Sequence, residues 1–215
     1  MNFNLLSKNK KSEDLETKII EAAKELFIEN GFAETSMSDI ATKVGINRPG
    51  VHYYFRTKDK MFQAVFGSIV KSLIPKVQDI ILQQDTPIGE RIGRVVDAYY
   101  EVFKANPNLP IFIMKEMHRD FDYFSKTITE MHSVHYFDTI RNGLQNEMKK
   151  GKLKTVPMRF LFLTFYSLLT MPFSTKNMCQ NILLEENETY DEMLAKWKPY
   201  IITHVCNLLS NENQN

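Results

Sequence analysis

The segment from Ser36 to Lys60, SMSDIATKVGINRPGVHYYFRTKDK, restricts the fold more than any other part of the chain. It reads as a helix-turn-helix followed by the start of a third helix. Ser36 and Asp39 stand three apart, the spacing of a capping box with a short acid, and so open a helix. Ile40 and Val44 are four apart and share one face of it, and Ala41 beside them leaves room for a second helix to cross closely. Gly45 ends this helix, because glycine enters the left-handed region without a Cβ penalty. Ile46 can plug the turn, Asn47 is a good N-cap, and Pro49 is tolerated in a first helical turn. The second helix, Arg48 to about Phe55, buries Val51 and Phe55 and shows Arg48, Gly50, His52, Tyr53 and Tyr54 on its other face. Thr57 caps the next helix, which opens with Lys58.

The rest of the chain reads as helices separated by proline and glycine breaks. Met1 to Lys11 is expected to be a mobile, solvated tail, whose Lys8, Lys10 and Lys11 can brush a phosphate backbone. Ser12 then caps a helix running to about Glu29, with Ala23 and Phe27 at helical spacing and Gly31 as its stop. Lys58 to about Gln84 is a long amphipathic helix that Pro75 should kink or break. Thr86 and Pro87 open a helix to about Ala105, and Asn106 to Pro110 is a break. Ile111 to His118 is helical, and Phe121 to Lys150 contains another long helix, ended by Gly151. Pro157 starts a helix from Met158 to about Met171, interrupted by Pro172 and by Ser174 to Asn177. A last helix runs from Tyr190 to Leu209, with Pro199 as a possible bend. No stretch alternates as a strand does, so the fold class is all-α: a small three-helix head, residues 1–62, and a larger helical body, residues 63–215.

Charge is informative only locally. The chain of 215 residues has a formal net charge of +1, so it is not a basic nucleic-acid coat. Between Lys43 and Lys60, however, Lys43, Arg48, Arg56, Lys58 and Lys60 face Asp59 alone, a positive patch suited to phosphate. Cys179 and Cys206 give no disulfide framework and suit a reducing cytosol. The apolar run at the N-terminus is too short for a signal peptide, and Phe160 to Phe173 falls short of a bilayer span, so a cytoplasmic protein with no membrane partner is expected. Phosphate loop, nucleophile elbow and zinc-protease pair are all missing, so the chain is not read as an enzyme and no cofactor is expected. His132 and His135, with His118 and Asp138 nearby, lack a second paired ligand spacing and are read as surface or packing residues rather than as a metal site.

The residues Gly31, Phe32, Thr35, Ser36, Met37, Asp39, Ile40, Ala41, Gly45, Ile46, Tyr54, Phe55 and Lys58 together resemble the DNA-binding domain of TetR-type transcriptional regulators. The resemblance covers roughly the first sixty residues by motif. Two positions depart from it. Gly50 stands where the family usually has threonine or another small polar residue, and His52 where it has tyrosine. The resemblance implies a homodimer that lays the helix from Arg48 to Tyr54 in the major groove and reads a palindromic double-stranded DNA operator. Arg48 would take a base edge, since its guanidinium matches guanine. Asn47, Pro49, Gly50 and His52 would lie close to the groove, and Thr35, Ser36, Tyr53, Tyr54 and Lys58 would hold phosphates.

The resemblance also implies an effector pocket in the body and a dimer formed by its last two helices. The body's many Met and Phe side chains suit a pliable pocket for a small apolar or amphipathic effector. Candidates are Tyr99, Phe103, Met114, Met117, His118 and Phe121, with Tyr123, Phe137, Phe162, Phe165 and Tyr166 further along. Candidate dimer contacts are Phe160, Leu161, Thr164, Trp197, Ile201, Val205 and Leu208. The function expected is a sequence-specific, ligand-responsive repressor. The alternatives are an effector-independent or architectural DNA-binding protein, and an interaction adaptor controlled by a protein partner.

Overall fold

The computed structural model describes the backbone of residues 3–130 and 133–210 and the side chains of 13–130 and 135–210. In chain order its helices are α1 (Phe3–Asn30), α2 (Met37–Val44), α3 (Arg48–Tyr54), α4 (Lys58–Ile81), α5 (Ile88–Ala105), α6 (Leu109–Arg119), α7 (Phe121–Glu130), α8 (Ser133–Lys149), α9 (Met158–Ser174), α10 (Lys176–Met178) and α11 (Tyr190–Leu209), with a π-helical turn at Cys179–Leu183. The fold is all-α, and no strand occurs among the described residues.

Several boundaries follow their local chemistry. The capping box of α2 is complete: the Asp39 N–H donates to Ser36 Oγ at 3.2 Å, and the Ser36 N–H to Asp39 Oδ2 at 2.7 Å. Gly45 closes α2 at φ 80°. The Gly50 N–H donates to Asn47 Oδ1 at 2.9 Å, with Pro49 in the first turn of α3. Thr189 and Glu192 build a second capping box ahead of α11.

Others differ from expectation. α1 opens at Phe3 rather than at Ser12, so the expected mobile tail is helical from there on. The first 30 residues hold neither glycine nor proline, and nothing stops the helix from extending backwards. Neither Pro75 nor Pro172 breaks its helix. Pro75 removes the donor for the Lys71 carbonyl, but Lys71 is exposed, so water can serve that oxygen. The Phe121 to Lys150 stretch holds two helices, α7 and α8, and α6 begins two residues before Ile111, with Pro110 in its first turn.

The chain packs as two compact units. The first runs to Ser72 and takes in the segment from Phe112 that contains most of α6 and all of α7. Its core is built on Ile19, Ala23 and Phe27 of α1, Ile40 of α2, Val51 of α3, and Met61, Phe62 and Val65 of α4, all fully buried. Rings extend this core: Phe62 lies 5.2 Å from Phe32, 6.1 Å from Phe112 and 5.8 Å from Tyr123, and Phe66 lies 5.1 Å edge-on to Phe124. Fully burying a side chain such as Val51 contributes about 1.5–3 kcal/mol.

The second unit comprises Leu73–Ile111 and the chain from the described start of α8. It is clamped by a buried ion pair, in which Arg91 donates to both Glu147 oxygens at 2.8 and 2.7 Å and to the Ile81 carbonyl at 2.6 Å. Packing therefore divides the chain differently from the proposed division of labour at residue 62.

Candidate nucleic-acid interface and effector cavity

α3 is held from behind and bare in front. Val51 and the capping Phe55 are buried, while Arg48, Asn47 and Pro49 are exposed and Tyr53 is 81% exposed. Tyr54 is half-buried, and its ring stands edge-on to Tyr53 at 5.2 Å. Arg48 Nε donates to His52 Nε2 at 3.2 Å, and His52 Nδ1 lies 3.3 Å from the Arg56 carbonyl oxygen. The tautomer that donates from Nδ1 and accepts at Nε2 satisfies both contacts. At Gly50 a Cβ would come within 3.0 Å of the capping Asn47 Oδ1 and 3.4 Å of Ile46 Cδ1, so the missing side chain keeps the cap close.

Two expected phosphate ligands are otherwise engaged. Thr35 is only 2% exposed, and its hydroxyl donates to the carbonyls of Gly31 at 2.9 Å and Leu26 at 3.2 Å. Its side chain secures the α1–α2 connection and does not reach a surface. Lys58 is half-buried: its ammonium donates to the Ala33 carbonyl at 3.0 Å and sits 4.5 Å over the Phe32 ring. Partial burial, and then the nearby Arg119 charge, hold its pKa below the usual lysine value. Lys43 is likewise paired, with Glu25 at 2.8 Å. The positive patch is thus narrower than its sequence suggests, with Arg48, Arg56 and Lys60 as its exposed cations apart from the paired Lys43.

Within the second unit lies an apolar cavity of about 60 Å³. α4 contributes Ile74, Val77 and Ile81, and the α5 side Ile88, Ile92, Val95 and Tyr99. α8 adds Phe137, Ile140 and Leu144, α9 adds Leu161, Phe162, Phe165 and Tyr166, and α11 adds Val205 and Leu209. The polar feature of this lining is a pair of phenols, Tyr99 Oη and Tyr166 Oη, 2.7 Å apart. Burial raises the pKa of both, and that of Tyr99 strongly.

The sequence profile of the bacterial regulatory proteins of the tetR family matches residues 19–65, the span that contains α2, α3 and their supports. Residues 19–65 of the chain carry a TetR-family DNA-binding domain. The chain is a DNA-binding transcriptional regulator. A Bacillus subtilis protein, the fatty acid metabolism regulator protein, is 23% identical over 136 residues, covering 63% of this chain and 69% of the relative. The transcriptional repressor BdcR of Escherichia coli is 34% identical over 77 residues, 36% of this chain and 39% of its own. The crystal structure of FadR from Bacillus subtilis in complex with stearoyl-CoA superposes with a TM-score of 0.69 at 17% identity, covering 90% of this chain and 99% of that one. A TetR-family regulator from Mesorhizobium loti gives 0.66 at 18% identity, covering 93% and 98%. These structural likenesses concern the fold.

Against this TetR-family frame, the expected effector residues separate into two groups. Tyr99, Phe137, Phe162, Phe165 and Tyr166 line the cavity. Met114, Met117, His118, Phe121 and Tyr123 do not; they belong to the first unit. There Phe121 is 64% exposed, His118 Nδ1 bonds the Met114 carbonyl, and Tyr123 donates to the Asp59 carbonyl at 3.0 Å. Phe103 packs on Phe173 at 5.1 Å and borders a separate, more open recess near Lys176 and Tyr190. The aliphatic contributions of α4 and α5 were missed, because Ile and Val at helical spacing look the same in a solid core.

The expected dimer residues separate as well. Leu161 and Val205 turn inward to the cavity and Ile201 is fully buried, so these three are core. Thr164, Trp197 and Leu208 are half-buried, with Trp197 Nε1 donating to the Leu168 carbonyl at 2.9 Å. Phe160 is 52% exposed, and Leu163, Met171 and Tyr200 join it as large exposed apolar side chains of α9 and α11. His132 lies outside the described residues, and no group of metal-binding side chains occurs among the described ones. No described helix is long and apolar enough to cross a membrane.

Proposed function

We propose that this TetR-family protein is a ligand-responsive repressor that binds a palindromic operator as a homodimer and leaves it when an apolar or amphipathic effector fills the cavity. The observation that carries the reading is that one chain holds both an exposed, capped α3 and a carbon-lined cavity. Arg48 would read a base edge in the major groove, with His52, Pro49 and Tyr53 beside it and Ser36, Tyr54 and the amino end of α2 near phosphate. Lys58 spends one of its three ammonium donors on the Ala33 carbonyl and keeps two that could reach a phosphate. Residues 1–62 would serve as the DNA-binding domain and 63–215 as the effector and dimerisation domain.

The exposed Phe160, Leu163 and Met171 on α9, with Tyr200 on α11, would meet their copies across the dimer, since several large apolar side chains exposed on neighbouring elements call for a partner. A protein that acts on operators works beside the chromosome, in the cytoplasm. The Bacillus subtilis matches, a fatty acid metabolism regulator by sequence and a FadR structure holding stearoyl-CoA, favour an acyl chain as the effector's apolar part, for which the cavity of about 60 Å³ would have to widen. The effector must bind the DNA-free form more tightly, since equal affinity for both forms shifts nothing.

The test is selection from random-sequence DNA at a stated salt concentration, with Arg48→Ala alongside, followed by titration of the selected complex with a long-chain acyl-CoA. A single enriched palindrome that the acyl-CoA releases is the expected result. Sequence-blind, salt-sensitive binding would sink the operator reading and point to an architectural protein. A palindrome that no ligand of the body releases would leave an effector-independent regulator.

A further inference from the structure

We propose that the Tyr99–Tyr166 pair supplies the cavity with one hydrogen-bond donor, and that its effector therefore presents a neutral acceptor, such as a thioester, ester or amide carbonyl, and not a free carboxylate. This rests on the effector reading above. Two phenols carry two O–H groups. With their oxygens 2.7 Å apart, one O–H is spent on the mutual bond, whichever ring donates it. Burial keeps both phenols protonated, so the second O–H is always present. No other hydrogen bond to either phenol oxygen occurs among the described residues. The remaining proton therefore has no protein acceptor, and both rings border the cavity.

The rest of the lining is aliphatic and aromatic carbon, without lysine, arginine or histidine. A carboxylate placed there would find one donor and no countercharge, and an unpaired charge in such surroundings is costly. An alcohol brings a proton of its own, which only the same phenol oxygens can accept. A neutral carbonyl accepts one bond and adds no charge, which matches what the pair leaves unpaired. The two phenols thus act as a filter on the chemical state of an acyl chain. A free acid is rejected, and the same chain in an esterified or thioesterified form is accepted.

The experiment measures binding of methyl decanoate and of decanoate, at about pH 8, to the full chain and to the double variant Tyr99→Phe, Tyr166→Phe. The unaltered protein should prefer the ester by tenfold or more. In the double variant ester binding should weaken about tenfold, the size of one net hydrogen bond, while decanoate changes little. Decanoate binding as tightly as the ester, or an ester affinity indifferent to loss of both hydroxyls, overturns the proposal. The chain then occupies the cavity unaided and the effector reading stands. Failure of both probes to bind the unaltered protein removes the proposal and the acyl-effector reading together. Absence of any ester-over-acid preference in the unaltered protein overturns the proposal even where the double variant does not fold.

Discussion

Arg48 and His52 lie one turn apart on the exposed face of α3 and are bonded to each other, so on the proposed interface the guanidinium would meet DNA with one of its donors already committed. Arg48→Ala should relax selectivity at one base pair of each half-site by about 1–3 kcal/mol. His52→Ala should act at the same base pair, by less, because it only loosens the arginine. Competition binding against single-base operator variants checks both, and an effect of His52→Ala at a different position would show that the two side chains act apart. Thr35 belongs to another category despite its place in the motif. Its hydroxyl is the donor to two carbonyls of the α1–α2 connection, so Thr35→Val should cost about 1–2 kcal/mol in urea unfolding. Operator affinity of the folded fraction should stay unchanged, and a weakened complex at full folding would return Thr35 to the interface.

Among the elements, α2 is opened by a single pair of side chains, Ser36 and Asp39. The bonds from the Ser36 hydroxyl and backbone hold the Asp39 carboxyl below its ordinary pKa. The folded value being depressed, this contribution is whole above the ordinary carboxylate range and drains away as pH falls through the folded value. Urea midpoints of the unaltered protein and of Asp39→Ala should differ near neutral pH and converge in acid; a gap that persists in acid would argue against the ionised cap. This box was legible in sequence, as were Gly45, Asn47 and the limits of α3, because capping is written in residues three apart. The course of α4 past Pro75 was not legible. Proline's cost in a helix can be met by an exposed carbonyl upstream, and the exposure of Lys71 is a tertiary fact. The cavity was half legible for the same reason. Its aromatic residues were singled out, but whether Phe121 faces solvent or Leu161 faces a void depends on which helices pack together.

At the scale of the whole molecule, reading a palindrome requires two heads, and hence a dimer face. Leu163 is 64% exposed on α9, between Phe160 and Met171, and it makes no part of the cavity lining. Leu163→Glu should therefore leave helicity and unfolding intact, raise the dimer dissociation constant tenfold or more, and weaken operator binding with it. Sedimentation at several concentrations checks this; a variant that remains dimeric would place the interface elsewhere. Beside that face stands Trp197, the one tryptophan of the chain, anchored to the Leu168 carbonyl and stacked at 5.8 Å on the exposed Tyr200. All indole emission from this protein thus arises at a single spot next to the apolar side chains that association would cover. On the proposed dimer its colour and intensity would give an unlabelled optical record of subunits joining and parting, and of whether an effector or an operator disturbs that seam.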